Sequence, residues 1–238
     1  MLVLAHRGLS AHYPENTKIA FEKALERCAK AIECDVQQVG DEFVIFHDYR
    51  LERLTGKTGL LSSQSSEELS ALRVKTEYPV LKLEQLFEII ADDILVNLEI
   101  KSLNNANAFV QYLEHCMQNH PAQVVLSSFN HPLIKALRLS LRNTRLEHSV
   151  KLAVLIAHLP ANNAEYAQYG LSLGAEILAI DAYLVDESFV QQAHLLDLKV
   201  WCYTVNHQDL LESLYKMGVD GVFCDDVSWA NNALSALD

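Results

Sequence analysis

The sequence predicts a closed (β/α)8 barrel, one domain over residues 1–238, with a small insertion after the second strand. Three observations carry this reading. Short apolar or β-branched runs alternate with helix-like stretches eight times. The 238 residues divide into eight units of about 30, close to one strand–loop–helix–loop repeat. No G-x-G-x-x-G or P-loop follows any of the runs, which weakens the alternative of an open doubly wound sheet. Strands that alternate with helices pair in parallel through right-handed crossovers, and eight such units close most naturally on themselves.

In order, the strand candidates are Leu2–Ala5, Ala31–Val39, Ile94–Ile100, Val124–Ser127, Leu152–Ile156, Ile177–Ile180, Val200–Val205 and Gly221–Cys224. The helix candidates between them are Thr17–Cys28, Leu83–Ala91, Ala106–Gln118, Pro132–Leu141, Asn163–Leu173, Glu187–Leu196, Gln208–Met217 and Ser228–Leu237. Thr17 is a candidate cap for the first helix, and Asn206 or His207 precedes the seventh. One segment breaks the rhythm. Residues 48–82 are polar, carry Gly56 and Gly59, and contain the run Ser62-Ser63-Gln64-Ser65-Ser66. Ser65 or Ser66 ahead of Glu67-Glu68-Leu69 reads as a helix start. The stretch is too long for a routine βα connection, so it is expected as a lid or excursion beside the second strand.

Half of the residues are hydrophobic, enough for a sizeable core. Nineteen basic against 31 acidic residues leave a net charge of −12, which excludes nucleic-acid binding through a general basic surface. A small anion would be repelled too, unless local cations or a metal reverse the field. No run approaches the roughly 18 to 20 apolar residues of a membrane span, and the initial apolar stretch ends by residue 5, short for a signal peptide. No basic amphipathic helix suggests a membrane surface. Five cysteines without a CxxC pair suggest reduced thiols and a cytoplasmic protein. Oligomeric state is not readable from the sequence.

In such a barrel the chemistry sits at the carboxyl ends of the strands. The first strand ends in His6-Arg7-Gly8. A single histidine there is commonly a hydrogen-bonded structural residue, but a desolvated arginine needs an anion, and its planar fork suits a carboxylate or phosphate. Glu33 and Asp35 share one face of the second strand. Two like charges in an apolar strand need a cation: either a buried arginine or lysine, or a hard divalent metal. Glu99 and Lys101 share a face of the third strand, adding a carboxylate and a cation. Val44-Ile45-Phe46 ends in His47-Asp48. Two histidines at one mouth suit general acid and general base work. Asp48 either orients an imidazole or caps a turn. An acidic metal nest flanked by cations suits a phosphate ester, which resolves the charge conflict.

These residues in this order resemble the glycerophosphodiester phosphodiesterase family. The match runs through His6-Arg7-Gly8, Pro14-Glu15-Asn16-Thr17, Glu33-x-Asp35, His47-Asp48, Leu54-Thr55 with Gly56 and Gly59, and Glu99-Ile100-Lys101. It ends with Tyr203-Thr204-Val205-Asn206 and the stretch from Gly218 to Asp225. The resemblance implies a TIM barrel, His6 and His47 as the acid/base pair, and Glu33, Asp35 and Glu99 as ligands of one Mg²⁺ or Ca²⁺. It implies Arg7 and Lys101 on the phosphate, and a small glycerophosphodiester as substrate, cleaved to glycerol 3-phosphate and an alcohol. A glycerol hydroxyl would attack phosphorus, and water would open the cyclic phosphate. Tyr203 stands where the family often has tryptophan, as a candidate substrate wall, with Trp201 deeper on the same face. Cys224 stands where threonine is common, as a packing change. Pro14 to Thr17 reads as architectural, with Glu15 a possible orienter of Arg7. Two other readings stand beside this one: a phosphodiesterase acting on lysophospholipids or phosphoinositides, and a noncatalytic barrel that binds a phosphorylated ligand.

Overall fold

The computed structural model describes residues 1–90, 93–118 and 122–237. Its barrel strands are β1 (Leu2–His6), β2 (Ala31–Val39), β3 (Leu95–Ser102), β4 (Gln123–Ser128), β5 (Val150–Ile156), β6 (Ile177–Asp181), β7 (Lys199–Tyr203) and β8 (Gly221–Cys224). Each runs parallel to its successor, and β8 pairs back onto β1 through Leu4 and Phe223. The helices are α1 (Lys18–Glu26), α2 (Leu83–Phe87), α3 (Ala106–Cys116), α4 (His131–Leu141), α5 (Asn163–Ser172), α6 (Glu187–His194), α7 (Gln208–Met217) and α8 (Val227–Ser235). The expected closed barrel is therefore the observed one. Ala91, the last position expected in the second helix, lies outside the described residues.

Side-chain alternation divides each strand between two environments. On β1 and β2, Val3, Ala5, Ile32, Cys34 and Val36 point outward into the layer beneath the helices. There they pack with fully buried Phe21, Phe87, Phe109 and Phe189; burying each such ring stabilises the fold by about 1.5–3 kcal/mol. The intervening residues point into the barrel. Its lower interior is filled by Leu4, Ala31, Val125, Ala153, Ile177, Ala179, Trp201 and Phe223. Trp201 explains Gly221: a Cβ there would lie 2.7 Å from the indole. Above this apolar plug the inward positions turn polar on β1 to β3.

The helices start at side-chain caps. Thr17, Asn105, Asn130, Asn162, Asp186 and Asp226 each accept a first-turn backbone N–H, as such residues prefer to do. Helix N-termini lie on the same side of the barrel as the carboxyl ends of the strands, so the caps also stiffen the loops of the mouth. At α7 the N-cap position is His207, without a side-chain cap bond.

The excursion starts earlier than its polarity suggests. The run expected only as apolar sequence before His47 is a strand, Glu42–Ile45, folded back antiparallel on the second half of β2. Gly40 turns the hairpin at φ +59°. The segment continues through a short helix Glu52–Thr55, a 3-10 turn Leu61–Ser63, and a helix Ser66–Ala71 capped reciprocally by Ser65 and Glu68. A two-residue pairing of Arg73–Val74 with Tyr78–Pro79 follows, and Leu81–Lys82 rejoins Glu42–Ile45. Val39, Val44, Phe46, Leu51, Leu54, Leu61, Leu69, Leu72 and Val74 give it a core of its own. Among the described residues no helix is long and apolar enough to cross a membrane.

Candidate active site

Strand register assembles the site. His6 is the neighbour of Glu33 across β1 and β2, and Asp35 is the neighbour of Glu99 across β2 and β3. All four are inward positions. Glu33, Asp35 and Glu99 bring carboxylate oxygens within 4.8 Å of one another. Glu33 and Asp35 are buried at 2% and 0% exposure. Burial and the charges of Asp35 and Glu99 push the Glu33 carboxyl well above its usual range. Burial and Asp35 push Glu99 up as well, against the pull of Lys101.

The turn after β1 supplies cations and donors to this cluster. Arg7 adopts φ +56° and Gly8 φ +85°. The left-handed turn aims the Arg7 backbone N–H at Glu33 Oε2, 2.9 Å away. Gly8 is required: a Cβ there would meet the Ala20 carbonyl carbon at 2.6 Å. The Arg7 guanidinium lies 3.1 Å from Asp35 Oδ2 through Nε and donates from Nη1 to Glu15 at 2.8 Å. Asn16, also left-handed at φ +59°, donates to Asp35 Oδ2 at 2.8 Å. Lys101 Nζ donates to Glu99 at 2.8 Å and stands 3.7 Å from Asp35 Oδ1. So Arg7 and Lys101 partly neutralise the nest. They do not satisfy it, because Glu33 Oε1 and Asp35 Oδ1 are buried without a hydrogen-bond partner. Two orphaned carboxylate oxygens in a converging trio are the donor set a hard divalent cation takes.

Each expected catalytic histidine has a carboxylate behind it. His6 Nδ1 is 2.7 Å from Asp225 Oδ1, and His47 Nδ1 is 2.6 Å from Asp48 Oδ1. Hydrogen bonds from Arg53, opposed by burial and joined by His47, hold the Asp48 carboxyl down at about 2. Burial opposes ionisation of Asp225, but hydrogen bonds from His6, Asn206 and Ser10 outweigh it and lower its pKa. Both acids are therefore ionised acceptors, and each imidazole carries its proton on Nδ1. Nε2 of each is left for the cavity. Asp225 is fixed by Asn206 at 2.7 Å and Ser10 at 3.2 Å, and its neighbour Asp226 caps α8.

His6, Arg7, Glu33, His47, Glu99, Lys101 and Tyr203 all line one cavity of about 220 Å³. Asp35 lies just beneath it. The opposite wall is apolar: Phe129, Leu155, Tyr203 and Phe223. Phe129 and Phe223 meet the Tyr203 ring edge-on, at 5.8 and 6.4 Å between centroids. The Tyr203 hydroxyl donates to the Ile156 carbonyl at 2.5 Å. Trp201 sits below, as its position on the strand implies. Cys224 points into the outer core, where burial pushes its thiol up to about 12, which fits a packing role. Sequence reasoning did not single out Ser10 or Arg53, and it gave Asn206 and Asp225 no site role, naming Asn206 ahead of the seventh helix and both residues within the late family motifs. It read Asn16 as part of the Pro14–Thr17 motif and of a helix start, without a site role.

A model of the glycerophosphoryl diester phosphodiesterase family matches residues 6–228. The chain belongs to that family. Its class is that of a phosphodiesterase, a hydrolase. A glycerophosphodiester phosphodiesterase of Caldanaerobacter subterraneus is 31% identical over 94% of each chain. One of Bacillus altitudinis is 28% identical, again over 94% of each. Among solved structures, an Oleispira antarctica phosphodiesterase in complex with the product sn-glycerol-3-phosphate superposes with a TM-score of 0.86. It is 25% identical, over 99% of this chain and 97% of that one. A protein of Agrobacterium tumefaciens at 16% identity and TM-score 0.85 shares the fold. The cavity lies at the carboxyl ends of β1 to β3, on the face of the barrel where chemistry sits in this fold.

Proposed function

We propose that this chain hydrolyses glycerophosphodiesters to glycerol 3-phosphate and an alcohol, with one Mg²⁺ or Ca²⁺ held by Glu33, Asp35 and Glu99. The observation that supports it best is the pair of orphaned oxygens, Glu33 Oε1 and Asp35 Oδ1, beneath a cavity that both imidazoles line. When bound, the cation withdraws charge from the phosphoryl oxygens and draws an anionic diester into a net acidic protein. Arg7 and Lys101 add positive charge on the same side and orient the phosphate. The proton work falls to the histidines. One Nε2 accepts the proton of the glycerol hydroxyl neighbouring the phosphate as that oxygen attacks phosphorus. The other ring enters the step as the imidazolium, protonated on both nitrogens, and gives its Nε2 proton to the departing head-group oxygen. With the roles exchanged, water opens the cyclic phosphate and gives glycerol 3-phosphate. Asp225 and Asp48 keep the proton on Nδ1 of each ring, so that the proton exchanged is the one on Nε2, and stabilise each ring while it is an imidazolium. Tyr203, Phe129 and Phe223 shape the apolar wall against which the carbon skeleton packs.

Phosphorus NMR of the protein with glycerophosphocholine, run in Mg²⁺, in Ca²⁺ and in excess chelator, tests this. The expected result is glycerol 3-phosphate in at least one metal and none in chelator. Turnover undiminished in chelator would overturn the metal assignment. Absence of turnover of glycerophosphocholine, glycerophosphoethanolamine and glycerophosphoglycerol alike, with binding retained, would mark a barrel that binds without cleaving.

A further inference from the structure

Arg53 lies in the short helix Glu52–Thr55 of the excursion, yet it reaches back to the barrel mouth. Its guanidinium spends four N–H groups on two carboxylates. Nε and Nη2 donate to Asp48 Oδ2 and Oδ1, both at 2.7 Å. Nη1 and Nη2 donate to Glu15 Oε2 and Oε1 at 2.7 and 2.9 Å. Those two carboxylates are the ones that hold His47 Nδ1 and Arg7 Nη1. We propose that Arg53 is a positioning residue that clamps the His47 imidazole and the Arg7 guanidinium into one arrangement, so the short helix that carries it governs turnover without touching substrate.

An exposed ion pair normally contributes little, and Arg53 is 49% exposed. Two features set this one apart. Both contacts are bidentate, the geometry in which a planar fork adds direction as well as charge. Both acids are mostly buried, at 17% and 20% exposure, and Nη2 is shared between them. Without the guanidinium, Asp48 and Glu15 would face each other as like charges. Each would draw away from the group it orients. Lysine offers a point charge on a flexible stem and does not reproduce two forks.

The kinetic part of the test rests on the phosphodiesterase reading; a spectroscopic part does not. R53A should lower kcat/KM by about 10- to 100-fold, the range seen when an outer partner of a site residue is removed, with most of the loss in kcat. R53K keeps the charge, covers the case in which R53A does not fold, and should recover only part of the activity. Methylguanidinium should raise the R53A rate several-fold, where an ammonium salt at equal ionic strength does not. Without substrate, the proton NMR signal of His47 Nδ1–H should be sharp in the wild type and broadened or shifted upfield in R53A. Wild-type kinetics in R53A or R53K, or an unmoved His47 signal, would overturn the proposal. A moved His47 signal in a protein that cleaves no diester would uphold the clamp and remove the phosphodiesterase reading instead.

Discussion

Replacing Glu33 by glutamine separates a cation nest from a self-contained ion-pair network, because the two predict opposite signs. In Glu33→Gln the amide oxygen still accepts the Arg7 N–H, so the change is mainly one of charge. Oxygens of Glu33, Asp35 and Glu99 lie within 4.8 Å of one another. At that spacing each like-charge pair costs on the order of 3 kcal/mol at an effective dielectric constant of about 20. The Arg7 guanidinium offsets about one of the two pairs that Glu33 makes, and proton uptake by the raised carboxyls relieves part of the rest. The net relief is about 2 kcal/mol, or roughly 4–8 °C in Tm for a chain of this size. In chelator, E33Q should therefore melt above the wild type. In saturating Mg²⁺ or Ca²⁺ the order should reverse, since the wild type gains about 2.7 kcal/mol at a hundredfold excess over Kd and the variant has lost a charged ligand. Thermal melts by circular dichroism read both arms. The pH dependence has a definite sign. A Glu33 carboxyl raised above its unfolded value of 4.5 contributes stability to the metal-free fold that is complete below that value. That contribution is lost as pH rises through the higher folded value. The advantage of E33Q in chelator should therefore grow with pH. If E33Q melts below the wild type in chelator, Arg7 and Lys101 already neutralise the trio, and the cation-nest argument fails.

Three further outcomes are expected. His6→Ala and His47→Ala should each lower kcat by at least about 100-fold while calorimetric metal binding stays intact; near-wild-type rates in both would remove them from proton transfer. Asp225→Asn leaves the loop's hydrogen bonds mostly in place but no longer supports the His6 imidazolium, so kcat should fall with KM little changed, and a loss confined to KM would contradict that role. Tyr203→Phe deletes the bond to the Ile156 carbonyl and keeps the ring, so it should cost about 1 kcal/mol of stability and leave kcat/KM within a few-fold; a large kinetic loss would show that the hydroxyl itself acts.

The parts of this molecule legible in the sequence are those written in local pattern. The barrel follows from eight apolar runs and the helix-like stretches between them. Glu33 and Asp35, like Glu99 and Lys101, declare a shared face by spacing alone. Thr17 and Ser65 act as caps where their residue types suggest. The Glu42–Ile45 strand was less visible, because four residues ahead of a histidine look like an apolar run without showing a partner. Least visible were the charges that meet at long range. Nothing near Arg53 in sequence reveals that it meets Glu15, 38 positions away, and nothing near His6 reveals Asp225, 219 positions away. A charged residue does not announce its counter-ion, and only closure of the fold chooses it.

That closure also imposes an order in time. The three carboxylates, both histidines, Arg7 and Lys101 all lie within the first 101 residues, on β1 to β3 and the excursion between them. Asp225, which orients His6, arrives with the last strand, when β8 completes the ring against β1. A chain emerging from the ribosome thus exposes its three clustered carboxylates long before its first histidine has the partner that fixes the ring. Until residues 221–225 are in place, β1 and β7 also present open edges, which are prone to pair with other chains. The final βα unit is both the seal of the barrel and the source of the carboxylate that orients His6.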